Sequence, residues 1–291
     1  MSAHHGRVEI IARGAHRPKS RFSGVLDWFD TLALDWMPPR DASAARTETA
    51  RISGLGTLRS GDIQVRRRWI TASLDTYRAA HTVLELVEVA TRSGFVDDEI
   101  YPLLEATLSE FNEVGHAAKQ AQEAEGDDPL DASPGLELLP WRLARFELRL
   151  MQALGLEPAL RVCATCGEAA PAVHSPGGPP ADGTPHEPRA PFSPQAGGRL
   201  CARHAREAHA SGWKVGTLPV HVLDAADALV RGGGKSLTTP HGTNVAQFGE
   251  RILDFAGRFL DHQLETRPKS HAEFLGAPDR NRRARPLGKD A

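Results

Sequence analysis

Two short motifs with the same spacing constrain the fold of this chain more than any other feature of its sequence. The first, CATC, runs from Cys163 to Cys166, and the second, CARH, runs from Cys201 to His204. In each motif a gap of two residues lets both end residues turn toward one ion, and neighbouring glycines permit tight backbone turns. Three sulfurs and one imidazole suit a tetrahedral Zn²⁺ ion and leave no open coordination position. The sequence therefore predicts a structural zinc site with the ligands Cys163, Cys166, Cys201 and His204.

The two motifs are separated by 34 residues, which is long for such a site. Residues 168–191 are rich in Pro, Gly and Ala, so we predict a flexible insertion that leaves the ligands undisturbed. Several alternatives remain open. The CATC pair is a redox motif if it lies in a thioredoxin-like strand-to-helix context, and the site can also be one that has lost its metal. The histidines that compete with His204 as the fourth ligand are His174, His186 and His209. A zinc hydrolase would need an open coordination position.

The hydrophobic pattern predicts strands in the first 68 residues. Residues 7–12 form one strand, and residues 24–37 form one or two, ended by Pro38 and Pro39. Residues 40–53 are polar and typical of a loop. Two short strands are expected at 55–58 and 62–65. This part of the chain is therefore expected to be mostly β-structure.

Helical spacing replaces the strand pattern after residue 68. One face of the first helix is expected to carry Ile70, Leu74, Tyr77, Leu84 and Val87. Further helices are expected at 98–118, from Pro140 to Gly155, at 218–230 and at 244–265. The third helix carries Leu139, Leu143, Phe146, Leu150 and Leu154, and the last carries Phe248, Ile252, Phe255 and Phe259. We interpret these apolar stripes as core. Residues 276–291 form a basic tail that we expect to be disordered.

Charge is unevenly distributed along the chain. Residues 1–78 hold 13 Lys and Arg against 8 Asp and Glu, whereas residues 79–291 hold 22 against 29. A basic segment on an acidic body indicates a localised surface for a polyanion, although solvated turn residues would give the same pattern. The candidate phosphate contacts are Arg7, Arg13, Arg17, Lys19 and Arg21 near a strand end, and Arg66, Arg67 and Arg68 at the junction of strands and helices.

Aromatic residues lie near both basic clusters. Cations that follow phosphates and flat rings that stack on bases are typical of a surface for single-stranded nucleic acid. Phe22, Trp28, Phe29 and Trp69 are the rings in question. We expect Trp28 and Phe29 to pack inside the protein, so the cations carry the nucleic-acid hypothesis.

These motifs together resemble the RecO family of DNA repair proteins. The segment 13–22, RGAHRPKSRF, resembles the strand and turn of that family's oligonucleotide-binding barrel. Residues 141–167 are similar to the helix that leads into the family's zinc finger, and residues 192–201 to the second half of that finger. Residues 260–275 are similar to the C-terminal signature. The resemblance covers most of residues 5–275.

The resemblance implies an α+β fold in which an N-terminal OB-fold-like β-barrel precedes an α-helical domain with an inserted zinc finger. The implied division is 1–68 for the barrel, 69–160 and 205–275 for the helical domain, 161–204 for the finger and 276–291 for the tail. Two departures stand out. The family has another strand and turn before the segment that corresponds to His5 and Gly6, so we expect the barrel to lack its first strand or the start codon to be misassigned. Many members also carry Cys where this chain has His204.

The resemblance further implies a recombination mediator that makes and breaks no chemical bond and is not an enzyme. Such a protein binds single- and double-stranded DNA and anneals complementary strands. Its implied partners are RecR, the C-terminal tail of single-stranded-DNA-binding protein and, indirectly, RecA. The alternative is a zinc-stabilised protein-interaction scaffold that does not bind DNA.

The sequence also bears on location. No apolar run approaches the roughly 18 residues that a membrane helix needs, and the first residues lack the apolar core of a signal peptide. We therefore expect a cytoplasmic, nucleoid-associated protein without a membrane partner.

Overall fold

The fold is described from a computed structural model. The residues described are 1–38, 55–91, 97–125, 135–172, 187–231, 249–265 and 268–270. The loop at 40–53, most of the insertion at 168–191, Phe248 and the basic tail at 276–291 lie outside them. Within the described ranges the fold is mixed α+β, as expected, with two three-stranded sheets and six α-helices.

The first sheet consists of β1 (Glu9–Ile11), β2 (Thr31–Met37) and β3 (Leu55–Val65). Strand β3 lies in the middle, parallel to β1 and antiparallel to β2. The prediction of two separate strands at 55–58 and 62–65 was wrong, because pairing with β2 continues through Gly61, which lies opposite Leu34. In the described part of the chain β1 and β2 form opposite edges and do not pair with each other. The sheet is therefore open among the described residues, which form no closed barrel.

Six helices follow the first sheet along the chain. They are α1 (Leu74–Ala90), α2 (Ile100–Glu125), α3 (Leu139–Ala153), α4 (Ala202–Ala210), α5 (Val220–Arg231) and α6 (Gly249–Gln263). The stripes expected on α3 and α6 are confirmed, since Phe146, Leu150 and Phe259 are buried. Short 3₁₀ turns at Ile70–Ala72 and Leu136–Leu138 precede α1 and α3. None of the described helices is both long and apolar enough to span a bilayer.

The face of α1 that packs into the core matches the predicted face only in part: Ile70 and Val87 are buried as expected, but Leu74 and Tyr77 are not. The buried residues are Thr76, Ala79, Ala80, Thr82, Val83, Leu86 and Val87. By contrast, Leu74 is 61% exposed and Tyr77 is 38% exposed. The prediction gave weight to the largest side chains. Small residues such as Ala79 and Ala80 instead let neighbouring elements approach α1 closely, and they carry no bulky side chain to reveal this in the sequence.

The second sheet joins the region of the cysteine motifs to the helices. It consists of β4 (Arg189–Ser193), β5 (Gly198–Arg199) and β6 (Gly216–Pro219), with β4 in the middle and both pairs antiparallel. Phe192 of β4 lies against Phe255 and Phe259 of α6, with ring centroids 5.7 and 5.9 Å apart. These edge-to-face contacts fix the sheet to the main core.

Candidate metal centre and nucleic-acid interface

The four side chains predicted as zinc ligands lie together. We call Cys163, Cys166, Cys201 and His204 the cysteine cluster; their ligand atoms all lie within 4.8 Å of one another. The Nδ1 atom of His204 is 3.4 Å from Cys163 Sγ and 3.3 Å from Cys201 Sγ. Tetrahedral zinc, with bonds of about 2.3 Å to sulfur and about 2.0 Å to nitrogen, would place sulfur and nitrogen about 3.5 Å apart. The cluster therefore fits a metal ion of this kind.

Backbone contacts hold the two halves of the cysteine cluster side by side. The Ala159 N–H donates to the Gly197 carbonyl at 3.0 Å, and the Arg199 N–H donates to the Ala159 carbonyl at 2.8 Å. The Ala164 N–H then donates to the Arg199 carbonyl at 2.8 Å. Gly198 makes this approach possible, because its φ is +142° and a Cβ there would lie 2.5 Å from the Ala159 carbonyl oxygen. The two halves of the cluster are thus joined directly through peptide groups.

The environment of the cluster favours a thiolate at Cys163. Burial raises the pKa of this thiol, but backbone N–H groups of Cys201, Cys166 and Thr165 donate to its sulfur and lower the pKa to about 6. At Cys166 the Glu168 N–H lowers the pKa, but desolvation and the neighbouring sulfurs raise it above its ordinary value. A metal ligand must be deprotonated, so the donors around Cys163 prepare it for an ion.

The fourth ligand is placed by the helix that follows. Cys201 is the N-cap of α4, where the helix dipole favours a negative sulfur. His204 lies in the first turn of α4, and its Nε2 atom is 3.7 Å from Glu207 Oε2. A carboxylate behind a ligating imidazole helps to orient it. Of the rival histidines, His209 is exposed and outside the cluster. His174 and His186 lie outside the described residues.

The candidate phosphate contacts fall into two groups in the structure. Arg13, Arg17, Lys19 and Arg21 are exposed on a run of tight turns between β1 and β2, which we call the basic turn (residues 13–21). The Arg17 N–H donates to the Gly14 carbonyl at 3.1 Å, and the Ser20 N–H donates to the Arg17 carbonyl at 2.9 Å. These bonds use backbone groups only, so the cationic side chains remain available to a polyanion. Arg21 also lies over the ring of Phe22, 4.9 Å from its centre.

Arg67 and Arg7 have structural roles instead. The side chain of Arg67 is 2% exposed and donates to Glu105, to Ser109 and to the Phe29 carbonyl. Arg7 donates to the Glu88 carbonyl at 2.7 Å. These cations already have partners, so the expectation that Arg67 contacts phosphate is corrected and Arg7 becomes an anchor of β1.

Arg66 and Arg68 flank the buried Arg67 and remain on the surface. Arg66 donates to the Gly24 carbonyl at 2.7 Å and lies 3.6 Å from Asp30, with half of its side chain exposed. The Arg68 guanidinium lies 4.7 Å from the centre of the Trp69 ring. Both cations therefore stay in positions that a phosphate can reach.

The adjacent aromatic residues Trp28 and Phe29, between the basic turn and β2, differ in their exposure to solvent. Phe29 is buried, as expected, whereas Trp28 is 73% exposed, contrary to expectation. The available signal was Asp27, which directly precedes Trp28 and is exposed, because a carboxylate beside an aromatic residue indicates a surface position.

Comparison with known proteins finds relatives among DNA repair proteins. No family model matches the chain. The DNA repair protein RecO of Anaeromyxobacter sp. (strain K) is 29% identical over 168 residues, which are 57% of this chain and 53% of that protein. The chain thus matches about half the length of this relative. RecO of Listeria monocytogenes serotype 4b (strain CLIP80459) is 26% identical over 56% of this chain and 50% of its own length. RecO of Myxococcus xanthus (strain DK1622) is 25% identical over 273 residues, which are 93% of this chain and 86% of that protein.

The chain is thus similar to several RecO proteins, in one case over almost all of its length. Two parts of the described structure carry residues that can bind a ligand. The basic turn lies beside the first sheet, and the cysteine cluster lies at the second sheet, far along the chain. The cluster offers four ligands and can hold a metal, whereas the basic turn offers exposed cations and can bind an anion. The two tasks are therefore separable by mutation.

Proposed function

We propose that this protein is a DNA-binding recombination mediator in DNA repair. The observation that carries the proposal is the basic turn, whose four cations are exposed and follow one another along a single loop. Similarity to RecO proteins, which are DNA repair proteins by name, supports the same role. The proposed DNA contacts are Arg13, Arg17, Lys19, Arg21, Arg66 and Arg68. Binding through phosphates would be strongly salt-dependent and independent of base sequence.

The cysteine cluster is proposed to hold one structural zinc ion. Four protein ligands fill a tetrahedral shell, so the bound ion would stabilise the fold and would have no open position for substrate. We also propose the following division into domains: an OB-fold-like unit at 1–68, helical parts at 69–160 and 205–275, and a zinc finger at 161–204. No covalent step is assigned to the protein, and we propose no catalytic residue.

The proposed activity is the handling of single strands during repair. The protein would bind single- and double-stranded DNA, anneal complementary strands and help to load RecA onto gaps covered by single-stranded-DNA-binding protein. RecR and the C-terminal tail of single-stranded-DNA-binding protein are the proposed partners, and the nucleoid is the proposed location. The basic turn supports the first two of these steps, because its cations can contact phosphates and because annealing requires that phosphate repulsion between strands be reduced.

Replacement of Arg17, Lys19 and Arg21 by Ala tests the proposal. Binding of a labelled single-stranded oligonucleotide is measured by fluorescence anisotropy over a range of salt concentrations. Each lost phosphate contact removes about 0.7 from the slope of log K against log salt, so we expect the slope to fall by about 2. The matched control replaces Arg203, Arg206 and Lys214, three exposed cations in and after α4, and should leave the slope unchanged.

Two results would count against DNA binding at the basic turn. One is a triple variant that has the affinity and the salt slope of the unaltered protein. The other is an unaltered protein that retains no oligonucleotide at low salt. The second result would favour the alternative function, a zinc-stabilised protein-interaction scaffold.

A further inference from the structure

Trp28 presents its ring to solvent on a loop that is otherwise well anchored. At 73% exposure it is the most exposed large apolar side chain in the described part of the protein. Leaving an indole in water forgoes the stabilisation that its burial would give. An exposed apolar side chain of this size indicates a binding surface, because it does not contribute to the stability of the fold.

His81 of α1 supports the inner side of the Trp28 ring. The centroids of the two rings are 5.4 Å apart. His81 also contacts Tyr77 at 4.5 Å and Phe29 at 5.3 Å, so it lies among three aromatic rings. Its Nε2 atom is buried and has no hydrogen-bond partner among the described residues. The contacts with Tyr77 and Phe29 thus hold His81 in place, and His81 in turn supports the inner side of the Trp28 ring.

Arginines from the end of β3 hold the loop that carries Trp28. Arg66 donates to the Gly24 carbonyl, and Arg67 donates to the Phe29 carbonyl at 2.9 Å. The Arg67 backbone N–H also donates to Asp30 Oδ1 at 2.8 Å. The chain on both sides of Trp28 is therefore tied to the sheet. Little conformational entropy would be lost when a flat ligand covers the ring.

The surroundings of Trp28 combine apolar surface with positive charge. Leu74 and Tyr77 are exposed on the same face of α1 as His81. The basic turn lies on the same loop, and Arg66, which follows β3, reaches this loop at the Gly24 carbonyl with half of its side chain exposed. Two carboxylates of the loop oppose these cations. Asp27 accepts the backbone N–H of Trp28 at 2.7 Å, and Asp30, whose side chain is 4% exposed, lies 3.6 Å from Arg66. The exposed cations outnumber these two carboxylates, so the loop suits a flat ligand attached to a polyanion.

We infer that Trp28 is a stacking position for an unpaired nucleobase of single-stranded DNA. This inference rests on the DNA binding proposed above and adds to it a preference for single strands. An unpaired base can place its open face on the indole while its phosphates lie near Arg66 and the basic turn. A base inside a duplex is already stacked on both faces, so it would gain nothing from Trp28. The cations favour this occupant over an apolar peptide from a partner protein.

Replacement of Trp28 by Ala tests the inference. Three labelled probes are compared by anisotropy: a poly-thymidine oligonucleotide, an abasic oligonucleotide of the same length and a duplex. A lost base–aromatic stack weakens binding by a factor on the order of 5 to 150. We expect that loss for the poly-thymidine probe alone. The affinities for the abasic probe and the duplex, and the salt slope, should not change because the phosphate contacts remain.

Two further variants keep the result interpretable. Trp28→Phe retains a flat ring and should recover most of the affinity for the poly-thymidine probe. Trp213→Ala removes another exposed indole, beyond α4, and should behave as the unaltered protein. The inference is overturned if Trp28→Ala binds all three probes normally, which is the result expected when a peptide is the true occupant. An equal loss for the abasic probe would also overturn it. If the unaltered protein binds no probe, the proposed function itself fails.

Discussion

The Arg67 guanidinium donates to Glu105 Oε2 at 2.9 Å and thereby joins the end of β3 to α2. Arg67 is almost fully buried, and its remaining donors contact Ser109 and the Phe29 carbonyl. Removal of the partners of a buried cation lowers the stability of the fold. The bonds of such a cation also fix the relative positions of the elements it connects. This side chain therefore fixes the first sheet against the helices.

Replacement of Arg67 by Ala should destabilise the protein markedly. The change leaves Glu105 without its cation and removes the bonds to Ser109, to the Thr31 hydroxyl and to the Phe29 carbonyl. Breaking a buried pair costs roughly 3 kcal/mol or more. Urea unfolding followed by circular dichroism measures this loss. Arg66→Ala is the matched control, because Arg66 is half exposed and the same change should cost about 1 kcal/mol or less. Equal midpoints for the two variants would show that Arg67 does not hold the sheet.

The cysteine cluster should bind one metal ion per chain through Cys163. We expect Cys163→Ser to lose bound zinc and to lower the thermal unfolding temperature, because a structural ion contributes directly to folding. Metal content by atomic emission, together with calorimetry, checks both effects. His204→Cys keeps four suitable ligands and should retain the ion. His209→Ala, one turn beyond, should leave the metal content unchanged. Retention of full metal content by Cys163→Ser would contradict the assignment.

Comparison of Gly198 with Gly155 tests the close contact between Gly198 and Ala159. Both have positive φ, +142° at Gly198 and +69° at Gly155, but only a Cβ at Gly198 would meet another group. Gly155→Ala should cost about 1 kcal/mol from backbone strain alone. Gly198→Ala should cost more and should also weaken metal binding, since it pushes Ala159 away from the second half of the cluster. Unfolding midpoints and zinc titrations measure the two effects. Equal costs would exclude a close contact at Gly198.

Glu85 should make the docking of residues 269–270 sensitive to acid. Its carboxylate accepts the backbone N–H groups of Lys269 and Ser270, each at 2.8 Å. Burial raises the pKa of Glu85, but the bonds from Ser270 and Lys269 outweigh it and lower the pKa below 4.5. Because the folded pKa is depressed, the stabilisation is complete above pH 4.5 and is lost as the pH falls through the folded value.

Nuclear magnetic resonance of the Ser270 backbone amide tests whether its bond to Glu85 depends on pH. The Ser270 amide resonance should shift as the pH falls, with a midpoint below 4.5. In Glu85→Gln the shift of the Ser270 resonance should disappear, because the carboxamide of the glutamine side chain does not titrate in this range. A Ser270 amide that does not move in the unaltered protein would remove Glu85 as its acceptor.

Large apolar residues and repeated ligand spacing made part of this structure predictable. Leu150 and Phe259 lie on strong helical stripes and are buried as expected. The cysteine cluster came together as the spacing of its two halves indicated. Both signals are local, since a few neighbouring residues suffice to recognise them.

The remaining features depend on contacts between distant parts of the chain. Arg67 resembles its neighbours in sequence and is buried only because Glu105 and Phe29 come from other elements. The buried face of α1 is marked by small residues such as Ala80, whose role depends on what packs against them. Trp28 and Phe29 are adjacent and similar, yet one is exposed and the other buried. Asp27 indicates a surface position nearby, but which of the two rings is buried depends on where α1 lies.

The backbone bonds between Ala159, Gly197 and Arg199 have a practical consequence for the design of fusions. They align the two cysteine motifs directly, so the number of residues between Cys166 and Cys201 does not set the distance between the motifs. A fluorescent protein or affinity tag placed within residues 173–186 should leave the four ligands in register. Such a chimera would report on the protein in living cells while leaving the basic turn and Trp28 untouched.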